Sequence, residues 1–365
     1  MKKTAFLILS FLTVSLAFAQ VAPKKPVPSD YSWRILQEAS FLFENNDFNK
    51  AMNMANKAKE NRKAESKWEC YILDNSLSPF AVRRVGSNFD DVLPVLEERQ
   101  QDEAVNIINK YIKLYSKKRF HESVYEMRSW VEAKSVYPEA DYLIGKIYQV
   151  EGEYELAYSF YEKARQNASF LDVPDQLFDI LYSMSELALQ NKKYEEYEQV
   201  LLLIMDKDPN FTDNVTKAAI FKIIDSNKSE NVDKFFSIFR AESPLTMKAL
   251  YSLSKIYEER NEIKNSLFCS ALATIEGFTR IYNSISERDA SYSYTTFAEF
   301  LHEIGKHQDI LDWCEENRLW DSMLSFAEKC SYRGNVIFAN AMLNAMAVNL
   351  PNPYYQTNAE KKIVR

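Results

Sequence analysis

The stretch that decides the fold runs from Tyr137 to Asn167 and reads YPEADYLIGKIYQVEGEYELAYSFYEKARQN. Two apolar stripes at helical spacing flank the polar corner Glu151-Gly152-Glu153, and this pattern predicts two amphipathic helices joined as a hairpin. The first stripe contains Leu143, Ile144, Ile147 and Tyr148, and the second contains Tyr154, Ala157, Tyr161 and Ala164.

Small residues interrupt both stripes. Gly145 and Ala157 lie in the middle of an apolar stripe, where their lack of bulk permits two helix backbones to approach closely. Ala164 offers a shallow surface to a following helix. We therefore expect this hairpin to pack against a neighbouring helix.

The hairpin resembles the tetratricopeptide repeat (TPR), whose signature contains L-G-x2-Y, then A-x3-F and a closing P. The resemblance begins at Ile144, which has the place of the leucine. The residues that follow it are the ones that the family uses for packing between helices: Gly145, Tyr148, Gly152, Tyr154, Ala157, Tyr161 and Ala164. The resemblance implies an all-α fold, an α-solenoid in which antiparallel helix pairs stack into a right-handed superhelix.

Further stretches repeat the pattern along the chain. Phe120 precedes Tyr154 by 34 residues, which is the length of one TPR unit. We predict a repeat domain over 31–351 and a C-terminal tail over 352–365. The segment 61–101 fits no signature, because Pro79, Gly86 and Pro94 interrupt its apolar clusters. The clearest units are 31–60, 104–137, 138–171, 178–210, 247–276 and 320–351.

The N-terminus has the three parts of a secretory signal peptide. Residues 1–19 contain two lysines, an apolar run and the ending Ala17-Phe18-Ala19, which predicts a cleaved signal; a retained anchor is the alternative, for which the run is short. No cysteine follows the cleavage position, as a lipid anchor would require, so we expect a periplasmic bacterial protein. Residues 20–30, with three prolines and two lysines, predict a flexible or polyproline-like leader.

The composition excludes several classes of protein. Only 6 glycines occur in 365 residues, which argues against a β-sandwich with many tight turns and against glycine-rich phosphate loops. The formal net charge of −7 falls to −9 when the two lysines of the signal are removed. An acidic chain disfavours nucleic acid as a partner. The mature sequence contains no apolar run long enough for a direct membrane span.

The TPR resemblance implies where a partner would bind. In that family the first helix of each pair lines a concave surface, and the fifth and ninth places of the unit are usual contact positions. The fifth place holds Ile108, Tyr142, Tyr182 and Tyr251, and the ninth holds Ile112, Lys146, Glu186 and Lys255. We expect these residues to form a partner-binding groove; the alternative is that the tyrosines pack between adjacent helices and only shape the wall. A clamp for a carboxylate would need lysine at the fifth place and asparagine at the ninth, and none of these units has them.

Catalytic and metal sites find little support. Ser252 and Lys255 match the S-x-x-K pattern of penicillin-binding enzymes, but they lie within a predicted helix and the mature chain has no K-T-G. His302 and His307 are five residues apart, whereas one helix face unites residues three or four apart. We expect neither enzymatic activity nor a cofactor.

The four cysteines are too few for a disulfide scaffold. Cys314 and Cys330 could form a disulfide in an oxidising compartment, because they are predicted on the inward faces of consecutive helices. The alternative is that all four are buried small hydrophobic residues.

The function that these patterns predict is a non-enzymatic scaffold or adaptor that holds one or more proteins along the concave face of the superhelix. Two alternatives stay open. One is a structural part of a larger envelope assembly, either a transporter-associated subunit or a flagellar-motor collar. The other is a carrier of a small apolar ligand.

Overall fold

The computed structural model describes residues 22–76, 89–98, 102–112, 120–240 and 245–364. Every regular element in these ranges is a helix, and none of them contains a strand. The prediction of an all-α fold is therefore confirmed. No described helix is both long enough and apolar enough to cross a bilayer. The predicted signal peptide, 1–19, lies outside the described residues.

The chain divides into two compact units, Met1–Ile180 and Leu181–Arg365. The N-terminal unit contains α1 (Ser32–Glu44), α2 (Phe48–Ser76), α3 (Phe89–Glu98), α4 (Asp102–Ile112), α5 (Phe120–Ala133), α6 (Pro138–Glu151) and α7 (Tyr154–Gln166). The division falls within α8 (Gln176–Gln190). The C-terminal unit contains α9 (Tyr194–Met205), α10 (Pro209–Thr212), α11 (Asn214–Asp225), α12 (Asn231–Phe236), α13 (Met247–Glu259), α14 (Ile263–Arg288), α15 (Phe297–Ile304), α16 (Gln308–Glu316), α17 (Leu319–Tyr332), α18 (Val336–Asn349) and α19 (Pro353–Lys362).

The hairpin formed by α6 and α7 depends on two glycines. Gly152 ends α6 with a φ of +83°, in the left-handed region that glycine adopts without strain. Gly145 faces Tyr161 of α7, and a Cβ atom there would lie 2.6 Å from two carbons of the tyrosine ring and 3.3 Å from the carbonyl oxygen of Ala157. The two helices therefore touch where the side chains are smallest.

The other small and aromatic residues of the hairpin divide between core and surface. Ala157, Tyr161 and Ala164 are fully buried, and the Tyr161 hydroxyl donates to Gln149 Oε1 at 2.6 Å. Tyr148 is half-buried against the Phe160 ring. Tyr154 departs from the predicted stripe because 43% of it is exposed.

The long helix α2 connects two hydrophobic clusters of the N-terminal unit. Its first half places Ala51 and Ala55 against Leu143, Ile144 and Ile147 of α6, together with Ala39 of α1. Its second half places Cys70 and Leu73 in a cluster with α3, α4 and α5. Neither glycine nor proline occurs between Phe48 and Ser76, so nothing stops the helix at residue 60, where the sequence pattern ends a unit.

In the C-terminal unit, α14 has the corresponding central position. It spans 26 residues and packs against α13, α17 and α11. Gly277 lies in its middle, where a Cβ atom would be 2.5 Å from Leu319 Cδ1 and 2.9 Å from Met247 Sδ. The predicted unit boundary at residue 276 therefore falls inside this helix, because Gly277 admits a neighbouring helix instead of ending its own.

The segment predicted as a C-terminal tail, 352–365, contains a packed helix. Asn352 caps α19 by accepting from the backbone N–H of Tyr354, and Pro353 occupies the first turn, where its missing N–H costs nothing. Ala359 is fully buried as α19 packs against α18. This correction follows from an Asn-Pro helix start that the repeat pattern does not include.

All four cysteines are buried free thiols in this structure, which has no bond between Cys314 and Cys330, the pair for which a disulfide was considered possible. Burial raises the pKa of each thiol, to about 12 for Cys269, and this keeps the thiols protonated and poorly reactive. The alternative interpretation of the cysteines as small core residues agrees with this arrangement.

A thiol titration checks this arrangement. We expect the native chain to react very slowly with an aromatic disulfide reagent, because every sulfur is buried, and the unfolded chain to release about four equivalents without prior reduction. A count near two in the unfolded, unreduced chain would show that a disulfide exists.

The close contact between α6 and α7 generates a second prediction. Ala157→Leu places a larger side chain in a fully buried position and is expected to lower the free energy of unfolding by about 1 to 3 kcal/mol. The same substitution at Ala64, which is exposed on α2, provides the matched control and should change stability little. Urea unfolding followed by circular dichroism measures both; equal midpoints would contradict the close contact.

Candidate partner-binding groove

A groove of about 550 Å³ lies beside α13 in the C-terminal unit. Lys248, Tyr251, Ser252 and Lys255 line it from one face of that helix, because residues three, four and seven apart lie above one another. We call it the tyrosine groove. Its other walls are formed by Leu189, Tyr194, Tyr197, Ile256, Glu259, Arg260, Glu316, Asn317 and Arg318.

Two of the predicted binding residues come together in the tyrosine groove. The Lys255 ammonium group lies 4.3 Å from the centre of the Tyr251 ring, within the range of a cation–π contact. Lys255 is exposed and Tyr251 is half-buried. The contact therefore fixes a polar and an aromatic group side by side at the groove surface.

The other predicted pair of this unit, Tyr182 and Glu186, does not line the tyrosine groove. Tyr182 is half-buried, and its hydroxyl donates to the carbonyl oxygen of Leu245 at 2.7 Å, two residues before α13 begins. Burial raises the pKa of this phenol, so it stays a hydrogen-bond donor. Glu186 is exposed on α8 and does not line the tyrosine groove. Tyr182 thus helps to position the start of α13 and fits the alternative of a wall-shaping tyrosine.

In the N-terminal unit, Tyr142 and Lys146 lie next to each other on α6. The Lys146 ammonium group is 4.8 Å from the centre of the Phe43 ring and 5.8 Å from that of Tyr142. The Tyr142 ring packs at 5.7 Å from Tyr161, and its hydroxyl donates to the carbonyl oxygen of Asp179 at 3.4 Å. This tyrosine is therefore partly engaged in packing.

The predicted groove positions on α4 are wrong. Ile108 is fully buried, and Ile112 packs against the same cluster at the second half of α2. The repeat pattern assigns the apolar face of α4 to a concave surface, but that face instead packs against the extension of α2 beyond residue 60. A long helix without a stop signal was the feature that could have revealed this.

The charges of the tyrosine groove are mixed, with an excess of cations. Arg260 forms a bidentate ion pair with Glu198, in which the distance from Nη1 to Oε1 is 2.7 Å. Lys248, Lys255 and Arg318 form no ion pair with any residue that the structure describes, while the carboxylates Glu259 and Glu316 also line the groove. Three unpaired cations beside three tyrosine rings give a surface that can contact both apolar and acidic groups.

No sequence pattern predicted that Arg318 would line the groove. This residue precedes α17 with a φ of +52°, a left-handed conformation that is uncommon for a residue with a side chain. The backbone there turns sharply between α16 and α17, and the turn brings Arg318 to the groove opposite α13. Only the packing of those two helices determines this position.

The N-terminus of α13 is held by a buried carboxyl group on α14. Glu276 Oε1 accepts from the Thr246 backbone N–H at 2.8 Å, and Oε2 accepts from the Thr246 hydroxyl at 2.6 Å. Glu276 is only 2% exposed, and this burial raises its pKa to about 7 although Thr246 and Arg240 favour the charged form. The N-terminus of α13, the helix that carries the groove residues, is therefore hydrogen-bonded to a carboxyl group that can change its protonation state near neutral pH.

Glu276→Gln is expected to remove part of the pH dependence of stability. A pKa raised from 4.5 to about 7 means that this group stabilises the fold most below pH 4.5 and that its contribution is lost as the pH rises through about 7. The loss amounts to at most about 3 kcal/mol. Glutamine keeps an acceptor for Thr246 but does not titrate. Urea unfolding of both chains at acidic and at mildly alkaline pH measures the difference; the same pH dependence in both would contradict the assignment.

Metal binding finds no support among the described residues, where no group of three or more histidine, cysteine, aspartate or glutamate side chains converges. The Ser252–Lys255 pair lies on α13 at the groove surface, and the lysine there contacts an aromatic ring. The tyrosine groove thus presents aromatic rings, cations and two carboxylates at one surface.

Comparison with known proteins gives relatives but no function. No protein-family model matches the chain. The chain is 26% identical over 335 residues to an uncharacterized protein of Treponema pallidum, and the match covers 91% of this chain and 89% of that protein. It is 22% identical over 249 residues to an uncharacterized protein of Borreliella burgdorferi, with 59% of this chain and 74% of that protein covered. The similarity to the Treponema pallidum protein thus extends over nearly the whole of both chains.

Proposed function

We propose that the chain is a non-enzymatic scaffold that binds a segment of a partner protein in the tyrosine groove. The observation that carries this proposal is the face of α13, where Lys248, Tyr251 and Lys255 line an open groove. Lys248 and Lys255 are exposed side chains with no ion pair to the described residues. Their ammonium groups are therefore available to pair with the acidic groups of a partner.

The composition of the groove suits recognition of a protein segment. Tyrosine supplies a large contact area and loses little conformational freedom when it is buried by a partner, which is why it is enriched at interfaces. The lysines and Arg318 can steer an acidic or mixed segment into position, while the carboxylates Glu259 and Glu316 restrict which charges fit. A groove of this kind takes an extended strand of chain or one face of a helix.

The proposed architecture is a TPR-like right-handed superhelix. Its support is the α6–α7 hairpin, in which Gly145 admits Tyr161 and Gly152 makes the left-handed corner. Consecutive helices also pack as pairs between α1 and α2 and between α13 and α14. Stacked pairs of this kind offer a continuous binding surface.

The proposed location is the bacterial periplasm. The support for this is the sequence of residues 1–19, which has the charged start, apolar run and small-residue ending of an export signal.

Affinity capture from envelope extracts with groove variants tests the proposed function. We expect Tyr251→Ala to reduce the captured partner about tenfold or more, as loss of a buried aromatic anchor does, and Lys255→Glu to act in the same direction. Lys264→Glu, which reverses an exposed charge on α14 outside the groove, is the matched control. Thermal melts of all variants exclude unfolding as the cause.

Two results would contradict this proposal. Capture of the same partner at the same yield by all variants would place the binding surface elsewhere. A lipid-like molecule retained by the mature chain in native mass spectra, with no protein partner, would favour the carrier of a small apolar ligand instead.

A further inference from the structure

A second cleft, of about 430 Å³, lies in the N-terminal unit and is independent of the tyrosine groove. We call it the leader cleft, because Pro26 of the segment before α1 forms part of its lining. Its aromatic walls are Tyr31, Trp33 and Trp68, and Trp33 is 52% exposed. Carboxylates from α2 and α4 also line it.

The carboxylates of the leader cleft differ in their partners. Glu65 accepts from the backbone and hydroxyl of Ser32, Glu69 accepts from the Tyr111 hydroxyl, and Asp172 pairs with Arg62. These acids are used by the folded unit itself. Glu103 differs, because its ion-pair partner comes from the leader.

Glu103 receives two hydrogen bonds of different origin. Trp68 Nε1 donates to Oε1 at 2.8 Å and so fixes the carboxylate beside an indole ring. Lys25 Nζ donates to Oε2 at 2.8 Å and lies 6.0 Å from the centre of the same indole ring. A carboxylate and an aromatic face together make a site for an ammonium group.

The leader enters this site as an extended, proline-rich segment. Residues 22–27 have no regular secondary structure, and Val27 has φ −99° and ψ 153°, which is extended. Pro23 and Pro26 hold their φ angles near the value of polyproline II, and the residues that precede prolines favour an extended backbone. Aromatic-lined grooves bind such segments because little conformational entropy is lost.

The leader is attached to the folded unit at two points, the turn before α1 and the Lys25 side chain. The short 3-10 turn Pro28–Asp30 is tied to α2, since Asn61 Nδ2 donates to the carbonyl oxygen of Asp30 at 2.5 Å. The Lys25 side chain remains 62% exposed. Exposed ion pairs add little to stability, so a competing segment can displace this contact while the turn stays in place.

We propose that the leader cleft is a docking site for an extended, proline-rich segment of a partner protein that carries a lysine directly before a proline, and that the chain's own leader occupies the site as an intramolecular competitor. The attachment at Asp30 holds Lys25 at a high effective concentration, so even a weak contact is populated. The partner must therefore bind better than the leader does, or bind after the leader has left.

The test uses a fluorescent peptide with the sequence of residues 22–30 and the mature full-length chain. Lys25→Ala empties the site beside Glu103 and is expected to raise the affinity for the peptide about fivefold or more, because the tethered competitor is lost. Lys24→Ala is the matched control: Lys24 is exposed in the same leader and forms no ion pair with the described residues, so the affinity should stay that of the natural chain. Fluorescence anisotropy measures all three.

A second pair of measurements identifies the site. Adding Glu103→Gln to Lys25→Ala should return the affinity to that of the natural chain or below. A peptide with Lys25→Ala should bind the Lys25→Ala chain about fivefold more weakly than the natural peptide does, because it lacks the ion pair with Glu103. Equal affinities of the natural chain and Lys25→Ala, or full binding without Glu103, would overturn the proposal. A natural chain that sediments as a dimer, and that Lys25→Ala converts to a monomer, would assign the leader to the cleft of a second copy and overturn the intramolecular arrangement.

Discussion

The structure depends on helices that touch where side chains are smallest. At Gly145 the ring of Tyr161 fills the space that any other residue would need, and at Gly277 the side chains of Leu319 and Met247 do the same. Interiors are packed as densely as molecular crystals, so each of these contacts permits only one relative placement of its helices. The first contact sets the α6–α7 hairpin, and the second sets α13 and α17 against α14. Because α13 carries residues of the tyrosine groove, the position of that groove depends on the contact between Gly277 of α14 and Met247 of α13.

Polar interactions then determine how the helices begin. Glu276 satisfies the start of α13 from a neighbouring helix, and Glu65 does the same for α1 through Ser32. In both cases a carboxylate from a long central helix meets N–H groups that have no partner within their own helix. The two surfaces with proposed binding roles, the tyrosine groove and the leader cleft, each lie beside a helix that is held in this way. The two surfaces are thus supported in the same way, although the segments proposed to bind them differ.

Local patterns in the sequence predicted the local parts of this structure. The all-α class follows from apolar spacing and scarce glycine, and the hairpin follows from the stripes around Gly152. The positions of Ile108 and Arg318 could not be predicted in this way, because each depends on which helix packs against its own, and that is decided by the lengths of α2 and of the α16–α17 turn. Tyr251 and Lys255 were placed together because they are four apart on one helix, whereas the pairing of Lys25 with Glu103 joins residues 78 positions apart. The leader was predicted as flexible or polyproline-like but without a binding site, because that site is built from distant residues.

The length of α2 has a mechanical consequence. With 29 residues it is about 43 Å long, and it contributes to both hydrophobic clusters of the N-terminal unit. In an array where each repeat contacts only its neighbours, the ends can fray while the middle stays intact. Here the single helix α2 contributes to both clusters. Unfolding of one cluster therefore exposes apolar residues of α2 and destabilises the helix that the other cluster packs against. The N-terminal unit is therefore expected to open as one cooperative block rather than repeat by repeat.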